Sequence, residues 1–215
     1  MSTIKLAEMI VATTNAGKTR EFAYKFNPLG ITVQSLADYP GIPPIIENGV
    51  TFMENAEIKA RTVAETLCKP ALADDSGLRV KELGGEPGVY SARYAGDHAT
   101  DQQNIDKLLS RLSASGKSFT PPDIPLPAGI RLLSEAEFVC ALVFINPDDG
   151  NVLRAEGNCP GYIIESPRGQ HGFGYDPVFY LPQYGKTMAE LTLEEKQAIS
   201  HRGKAMDVLL NLFSQ

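Results

Sequence analysis

The sequence has few cysteines, no long apolar run and no basic excess. Its 215 residues include only Cys68, Cys140 and Cys159, at unrelated spacings. This excludes a disulfide framework or zinc knuckle and favours a reducing, cytoplasmic setting. The longest apolar run, 139–145, is far below the length of a membrane span. Because 26 acidic side chains outnumber 20 basic ones, for a net charge of -6, a binder of nucleic-acid polymers or membrane surfaces is not expected.

The composition is that of a globular chain, with strand and helix signals along its length. Hydrophobic residues are 43% of the total and charged residues 21%, which is ordinary for a globular protein. Capping-box patterns predict helices beginning after Thr51, Thr100 and Thr192, and apolar periodicity predicts others near 18–26 and after Ser200. Strands are predicted at 9–13, 31–36, 71–73, 78–83, 137–145, 151–156 and 161–165. We therefore expect one α/β domain over 1–215, with a mixed sheet in two lobes.

The segment 113–134 departs from this pattern. It contains four prolines with Ser and Gly between them, a composition that is typical of exposed loops. We interpret it as a Pro-rich surface insertion.

The first candidate site, 12–19, ends a predicted strand and opens a predicted helix. Backbone N–H groups at a helix start bind phosphate, and Lys18 adds a positive charge. The segment is one glycine short of a P-loop because Ala12 stands at the glycine position. Asn15 suits either an N-cap or a phosphate ligand, and a plain turn with a solvated Lys18 is the alternative.

A pair of adjacent carboxylates, Asp74 and Asp75, follows a short apolar strand. Such a pair could hold Mg²⁺ and activate a water molecule. Neighbouring side chains on a strand point to opposite faces, so different roles are expected for the two. Glu47 could supply a second carboxylate ligand. The alternative is a polar turn over 74–77.

Two later segments also suit a nucleotide. In 171–177, glycines surround Phe173 and Tyr175, whose rings could stack on a base, while Asp176 could accept its hydrogen bonds. The alternative is a glycine-rich loop whose aromatic rings turn into the core. Lys196 precedes the helix start at 200–202, where a histidine and an arginine could bind a phosphate or a purine edge. The alternative is that these two are ordinary surface residues.

Taken together, these segments resemble the inosine triphosphate pyrophosphatase family, in its XTP/dITP diphosphatase branch. The matching pieces occur in the family's order over nearly the whole chain. They are Thr13-Thr-Asn-Ala-Gly-Lys18, Glu54-Asn-Ala-Glu-Ile-Lys-Ala60, Ala73-Asp-Asp-Ser-Gly-Leu78, Leu83-Gly-Gly-Glu-Pro-Gly-Val-Tyr-Ser-Ala-Arg-Tyr94, Gly172-Phe-Gly-Tyr-Asp-Pro177, Glu190-Leu-Thr through Lys196, and Ser200-His-Arg202.

The resemblance implies an enzyme that hydrolyses ITP, dITP and XTP to nucleoside monophosphate and pyrophosphate and so cleanses the nucleotide pool. It also implies Mg²⁺, a homodimer, and an elongated mixed sheet with flanking helices in two lobes, with the active site in the cleft between them. Asp75 would be the catalytic base, and Glu47 and Asp75 would hold the metal. The substrate-binding residues would be Thr13, Thr14, Asn15, Ala16, Gly17, Lys18, Ser76, Phe173, Gly174, Tyr175, Asp176, Lys196, His201 and Arg202. Supporting residues would be Asp74, Asn55, Lys59 and Arg93.

Two other classes of function compete with this interpretation. A P-loop-like NTPase or kinase would release orthophosphate or phosphorylate an acceptor, but Ala12 departs from its motif. A non-catalytic nucleotide sensor would need no carboxylates to hold a metal and its water. The sequence has Glu47, Asp75 and Lys18 together, which argues against a sensor.

Overall fold

The computed structural model describes residues 6–116, 119, 124 and 126–214. Helices and strands alternate along most of the chain. In order, the elements are β1 (Glu8–Val11), α1 (Ala16–Phe26), β2 (Thr32–Ser35), α2 (Phe52–Leu67), β3 (Ala71–Val80), α3 (Asp101–Ala114), β4 (Leu132–Asn146), β5 (Asn151–Ile164), β6 (Phe179–Leu181), β7 (Lys186–Thr187), α4 (Leu193–Ile199) and α5 (His201–Phe213).

In the described residues, seven strands form one mixed sheet with the order β2-β1-β3-β4-β5-β6-β7. The strand β1 pairs in parallel with β2 and with β3, whereas β6 pairs antiparallel with β5 and with β7. The predicted α/β class with a mixed sheet and flanking helices is therefore confirmed.

The chain divides into two compact units. Unit 1 comprises 1–75, 140–157 and 201–215, and unit 2 comprises 76–139 and 158–200. The chain passes from one unit to the other within β3, β4 and β5 and at the start of α5. Each unit is described separately below.

The core of unit 1 joins the first and last helices to the strands. Phe22 and Phe26, one turn apart on α1, are fully buried with Met9 of β1, Phe144 of β4 and Met206 of α5. Burying each large apolar side chain contributes about 1.5–3 kcal/mol. This packing fixes the ends of β1 and α1, where the segment 13–18 lies.

Unit 2 has its own core, built on the apolar face of α3. Ile105, Leu108 and Leu112 of that helix pack with Phe138 of β4 and Phe179 of β6. The rings of Phe138 and Phe179 are 4.4 Å apart between centroids, within the usual range of aromatic pairs.

The three predicted capping boxes are all present. Each threonine accepts a hydrogen bond from the backbone N–H three residues later, and the side chain at that position bonds back to the threonine N–H. The helix after Ser200 is present as α5, and the hairpin predicted around 146–150 joins β4 to β5.

Two predictions of separate strands were wrong. The segments 71–73 and 78–80 belong to one strand, β3, which runs through 74–77 without a turn, and 81–83 form a short 3-10 helix instead of a strand. Likewise, 161–165 is not a further strand, because β5 continues to Ile164. Within β3, the carboxylates of Asp74 and Asp75 are bonded to side chains of other elements.

The predicted insertion 113–134 is only partly described. Residues 113–114 end α3 and 132–134 begin β4, so the stretch outside regular elements is shorter than expected. The residues 117–118, 120–123 and 125 lie outside the described part of the chain. Each helix in the described residues is too short or too polar to cross a membrane.

Candidate functional site

The segment 13–18 forms a tight turn from β1 into α1. Asn15 is the N-cap of α1, and its Oδ1 accepts from Gly17 N at 2.8 Å and from Lys18 N at 3.1 Å. Thr13 Oγ1 accepts from Asn15 N at 3.1 Å. The N-cap interpretation of Asn15 is thus confirmed. Thr14 and Ala16 are exposed, so the start of this helix faces outward with a positive end.

The continuous strand β3 sends its two carboxylates in opposite directions, as the pleat requires. Asp74 contacts Lys18 and Arg202. Asp75 contacts Asn55 and Lys59 of α2. The two carboxylates therefore have different surroundings, and the alternative of a polar turn over 74–77 is wrong, because these residues lie within β3.

Asp74 lies in a buried ionic cluster. Its Oδ2 accepts from Arg202 Nε at 2.7 Å and from Cys140 Sγ at 3.1 Å, and its Oδ1 accepts from Lys18. Arg202 also donates from Nη1 to Glu21 Oε2 at 2.6 Å. Burial alone would raise the pKa of Asp74, but the charges of Arg202 and Lys18 outweigh it and hold that pKa well below its ordinary value.

The prediction for Arg202 needs correction in one respect. Its side chain is only 1% exposed, so the guanidinium is not presented to solvent but is engaged by Asp74 and Glu21. Glu21 was missed by the sequence analysis. It lies three residues after Lys18 on α1, a spacing that places two residues on the same helix face, and this signal could have found it.

Asp75 lies in a second cluster, shared with Glu47. The Nζ of Lys59 donates to Glu47 Oε2 and to Asp75 Oδ1, at 2.9 Å in both cases. Asn55 Nδ2 donates to Asp75 Oδ2 at 3.2 Å, and Asn55 Oδ1 accepts from Gly49 N at 2.8 Å. Asn55 and Lys59 are four residues apart, so α2 presents both on one face. The structure thus brings together Glu47, Asp75 and two of the supporting residues.

The charges in this second cluster shift the three pKa values. Burial raises the pKa of Asp75 to about 6, since the attraction of Lys59 offsets burial only in part and Glu47 adds repulsion. Burial also opposes ionisation of Glu47, but there Lys59 prevails and lowers the pKa. Burial would lower the pKa of Lys59, yet the two carboxylates together raise it. Of these two carboxylates, Asp75 is therefore the one whose pKa is raised.

These residues fit a divalent cation such as Mg²⁺. Mg²⁺ is bound through one or two carboxylates, with waters and substrate phosphates completing its ligands. Glu47 and Asp75 are two carboxylates within hydrogen-bond distance of one ammonium group, and a cation would favour the ionised form of Asp75, which burial disfavours. No group of three or more His, Cys, Asp or Glu side chains suited to a metal occurs in the described residues.

In unit 2, the segment 171–176 forms a compact loop around one carboxylate. Asp176 Oδ2 accepts from Phe173 N at 3.0 Å and from Lys196 Nζ at 2.7 Å. The same Nζ lies 4.7 Å from the centroid of the Phe173 ring. Gly172 is required here, because a Cβ would lie 2.0 Å from Asp176 Oδ2 and φ is +81°. The structure thus brings together the predicted residues Phe173, Asp176 and Lys196.

Tyr175 does not offer a stacking face, which corrects the prediction for this residue. Its ring is 4% exposed and belongs to the core of unit 2, and its hydroxyl donates to Ser91 O at 2.9 Å. Burial raises the pKa of this hydroxyl well above its ordinary value. Phe173, which is only half-buried, is the ring of this loop that could meet a base.

The remaining predicted residues have separate surroundings. Ser76 is half-buried on β3. The guanidinium of Arg93 lies 5.1 Å from the centroid of the Tyr90 ring. His201 is buried at the first position of α5. Gly157 of β5 lies against the backbone of this helix start, and a Cβ at Gly157 would lie only 2.2 Å from His201 O.

A cavity of about 950 Å³ in unit 2 lies apart from the predicted set. Arg79 of β3 and Lys81, which directly follows that strand, line it together with Glu135 and Glu137 of β4, and these four residues form two ion pairs. None of its described lining residues is a predicted site residue, so cavity size alone does not identify the chemistry of this protein.

Comparison with known proteins agrees with the fold. A model of the Ham1 family matches residues 9–212. The dITP/XTP pyrophosphatase of Geobacillus kaustophilus is 49% identical over 204 residues, covering 95% of this chain and 93% of that protein. That of Escherichia coli K12 is 45% identical over 207 residues, covering 96% and 98%. The solved HAM1 protein from Coxiella burnetii superposes with a TM-score of 0.81 at 40% identity, covering 97% of this chain and 99% of that one. The chain therefore belongs to the Ham1 family.

Proposed function

We propose that this protein hydrolyses the non-standard purine nucleoside triphosphates ITP, dITP and XTP to nucleoside monophosphate and pyrophosphate. The observation that carries the proposal is the pairing of Glu47 and Asp75 around one buried ammonium group, in a chain whose relatives are named dITP/XTP pyrophosphatases. A P-loop NTPase, a kinase or a sensor is not favoured, because the relatives are enzymes of this one kind.

Asp75 is proposed as the general base. The oxygen of a water molecule attacks the α-phosphorus, the bond from that phosphorus to the α,β-bridging oxygen breaks, and pyrophosphate leaves with that oxygen. The water proton passes to Asp75. A pKa of about 6 suits this task, because the carboxylate is mostly ionised at neutral pH and still accepts a proton. Asp74 supports it by anchoring β3 through Arg202 and Lys18.

Glu47 and Asp75 are also proposed to hold Mg²⁺. The ion would offset the negative charge on the phosphates during in-line displacement. Lys59 keeps the two carboxylates beside one another, and Asn55 orients Asp75 through its side-chain amide.

The two ends of the nucleotide are assigned to different residues. The turn 13–18 would bind the triphosphate through its backbone N–H groups and Lys18, and Ser76 would contact the substrate. Phe173 would stack on the base. Recognition of the base and phosphates is assigned to Gly174, Asp176, Lys196, His201 and Arg202, with Arg93 in support. Tyr175, whose ring lies in the core of unit 2, would hold the loop in place and not stack on the base.

Selectivity follows from the hydrogen-bonding pattern of the base. Hypoxanthine and xanthine carry a 6-oxo acceptor where adenine carries an amino donor. A buried hydrogen-bond donor in the protein would pair with the 6-oxo group. Opposite the amino group of adenine, the same donor would be left without a partner, which costs free energy of binding.

Three further properties belong to the same proposal. The chain acts as one nucleotide-hydrolysing domain over 1–215, it forms a homodimer, and it works in the cytoplasm, where its three free thiols remain reduced. Neither a nucleic-acid polymer nor a membrane is proposed as a partner.

A substrate panel tests the function. With Mg²⁺, dITP and XTP should be converted to monophosphate and pyrophosphate much faster than dATP or dGTP. Orthophosphate as the only small product would contradict the reaction, and equal turnover of all purines would contradict the specificity. Asp75→Asn should lose about a hundredfold or more in kcat, while the exposed Asp148→Asn, also in unit 1, should keep it. Full activity of Asp75→Asn would reassign the base.

A further inference from the structure

A carboxylate from a distant part of unit 2 binds the loop 171–176. Asp101, the first residue of α3, accepts a hydrogen bond at its Oδ2 from Gly174 N at 2.7 Å. The two residues are 73 positions apart in the chain. Asp101 is not part of the residue set proposed above for binding or catalysis.

This contact is placed next to the half-buried ring. Phe173 has its own N–H bonded to Asp176 Oδ2 at 3.0 Å, and the next N–H along the chain, that of Gly174, is bonded to Asp101. The two peptide units on either side of Phe173 are therefore both held by carboxylates. A backbone N–H bonded to an ionised carboxylate makes a stronger hydrogen bond than a neutral pair.

The two contacts differ in what they fasten. The bond to Asp176 closes the loop on itself, because the two residues are three positions apart. The bond to Asp101 fastens the loop to a helix whose start is fixed by the Thr100 capping box. Gly174 has a φ of +61°, and no described atom lies within 4 Å of the position that a Cβ would take. Neighbouring atoms therefore do not pack against this side of the Gly174 backbone. Without Asp101, the backbone at this glycine would regain conformational freedom.

We propose that Asp101 is a positioning residue for base recognition, acting through the Gly174 peptide to hold the Phe173 ring. The inference rests on the proposed function, in which that ring stacks on the purine. Asp101 touches no reacting atom, so its loss should weaken binding of the base and leave the chemical step unchanged. The negative charge of Asp101 also stabilises the first turn of α3 by interacting with the helix dipole. The experiment must separate this stabilisation of the helix from the hydrogen bond to the loop.

Three variants make that separation. Asp101→Ala removes the acceptor, Asp101→Asn keeps an acceptor oxygen but removes the charge, and Asp106→Ala removes an exposed carboxylate of the same helix that bonds to Gln102. Each is assayed for kcat and KM with dITP and with ribose 5-triphosphate, which has the same anhydride bonds but no base. Amide hydrogen exchange of 171–176 is measured without nucleotide.

Asp101→Ala should raise the KM for dITP about fivefold, the effect of one ordinary hydrogen bond, with kcat and the kinetics of ribose 5-triphosphate unchanged. Its loop should exchange faster. Asp106→Ala should resemble the wild type in both measurements. Asp101→Asn, whose neutral oxygen accepts a weaker hydrogen bond, should lie between the wild type and Asp101→Ala. Wild-type KM and exchange in Asp101→Ala would overturn the inference, as would an equal loss with ribose 5-triphosphate. A wild type that releases no pyrophosphate from dITP would instead defeat the proposed function, and the exchange measurement would still decide whether Asp101 holds the loop.

Discussion

Replacing Asp75 by asparagine should change how stability depends on pH. Burial raises the pKa of this carboxyl from its ordinary 3.8 to about 6 in the folded protein. The folded state therefore binds more protons than the unfolded state between these values, and the free energy of unfolding falls as pH rises through that window. The stabilising contribution is fully present below about pH 4 and is lost above about pH 6.

The size of the effect follows from the shift. A difference of about two pH units corresponds to about 3 kcal/mol, and little solvent screening is expected because the Asp75 side chain is only 11% exposed. Asparagine keeps an acceptor oxygen for Lys59 but has no proton to lose. Relative to the wild type, Asp75→Asn should thus gain about 3 kcal/mol in free energy of unfolding between pH 4 and pH 8.

Urea unfolding with a chelator present, at one-unit pH steps, measures this difference. Circular dichroism is the suitable signal because the chain has no tryptophan. Asp148→Asn, an exposed carboxylate of the same unit, should run parallel to the wild type. Parallel curves for Asp75→Asn as well would refute the reasoning, since they would mean that Asp75 titrates alike in both states. Mg²⁺, if held by Glu47 and Asp75, should flatten the wild-type curve by favouring the ionised form.

Three further outcomes are expected. Arg202→Met should lower the free energy of unfolding by about 3–5 kcal/mol in urea titrations, because it leaves buried carboxylates without their guanidinium; a loss below 1 kcal/mol would show that the cluster is not buried in solution. Gly172→Ala should raise the KM for dITP more than Gly174→Ala does, because only the first places a methyl group against Asp176 although both have positive φ; equal effects in steady-state kinetics would contradict this. Asn15→Ala should lose about 1 kcal/mol of unfolding free energy from the missing N-cap, and a serine at this position should restore most of it.

The local signals were enough to predict where helices begin. A capping box needs only a threonine and an acid or amide three residues on, and each of the three at Thr51, Thr100 and Thr192 marks a real helix start. Asn15 as an N-cap is a signal of the same kind. These interactions join neighbours in the chain, so the sequence alone carries them.

The path of β3 could not be predicted in the same way. Aspartates followed by serine and glycine favour a turn locally, but Asp74 is bonded to Lys18 and Arg202, which are 56 and 128 residues away. Partners at that distance override the turn preference of the segment. Tyr175 is a similar case. Its hydroxyl is bonded to the backbone of Ser91, 84 residues earlier, and its ring lies in the core of unit 2.

The order in which the chain visits its two units has a consequence for mutations that shorten the gene product. The last 15 residues, 201–215, belong to unit 1, whereas everything before them back to residue 158 belongs to unit 2. A premature stop codon at position 201 would leave unit 2 complete in sequence. It would delete α5 from unit 1, and with it the guanidinium that neutralises Asp74 and Glu21. Such a product should fail first at the carboxylate cluster, although it retains more than nine-tenths of the chain.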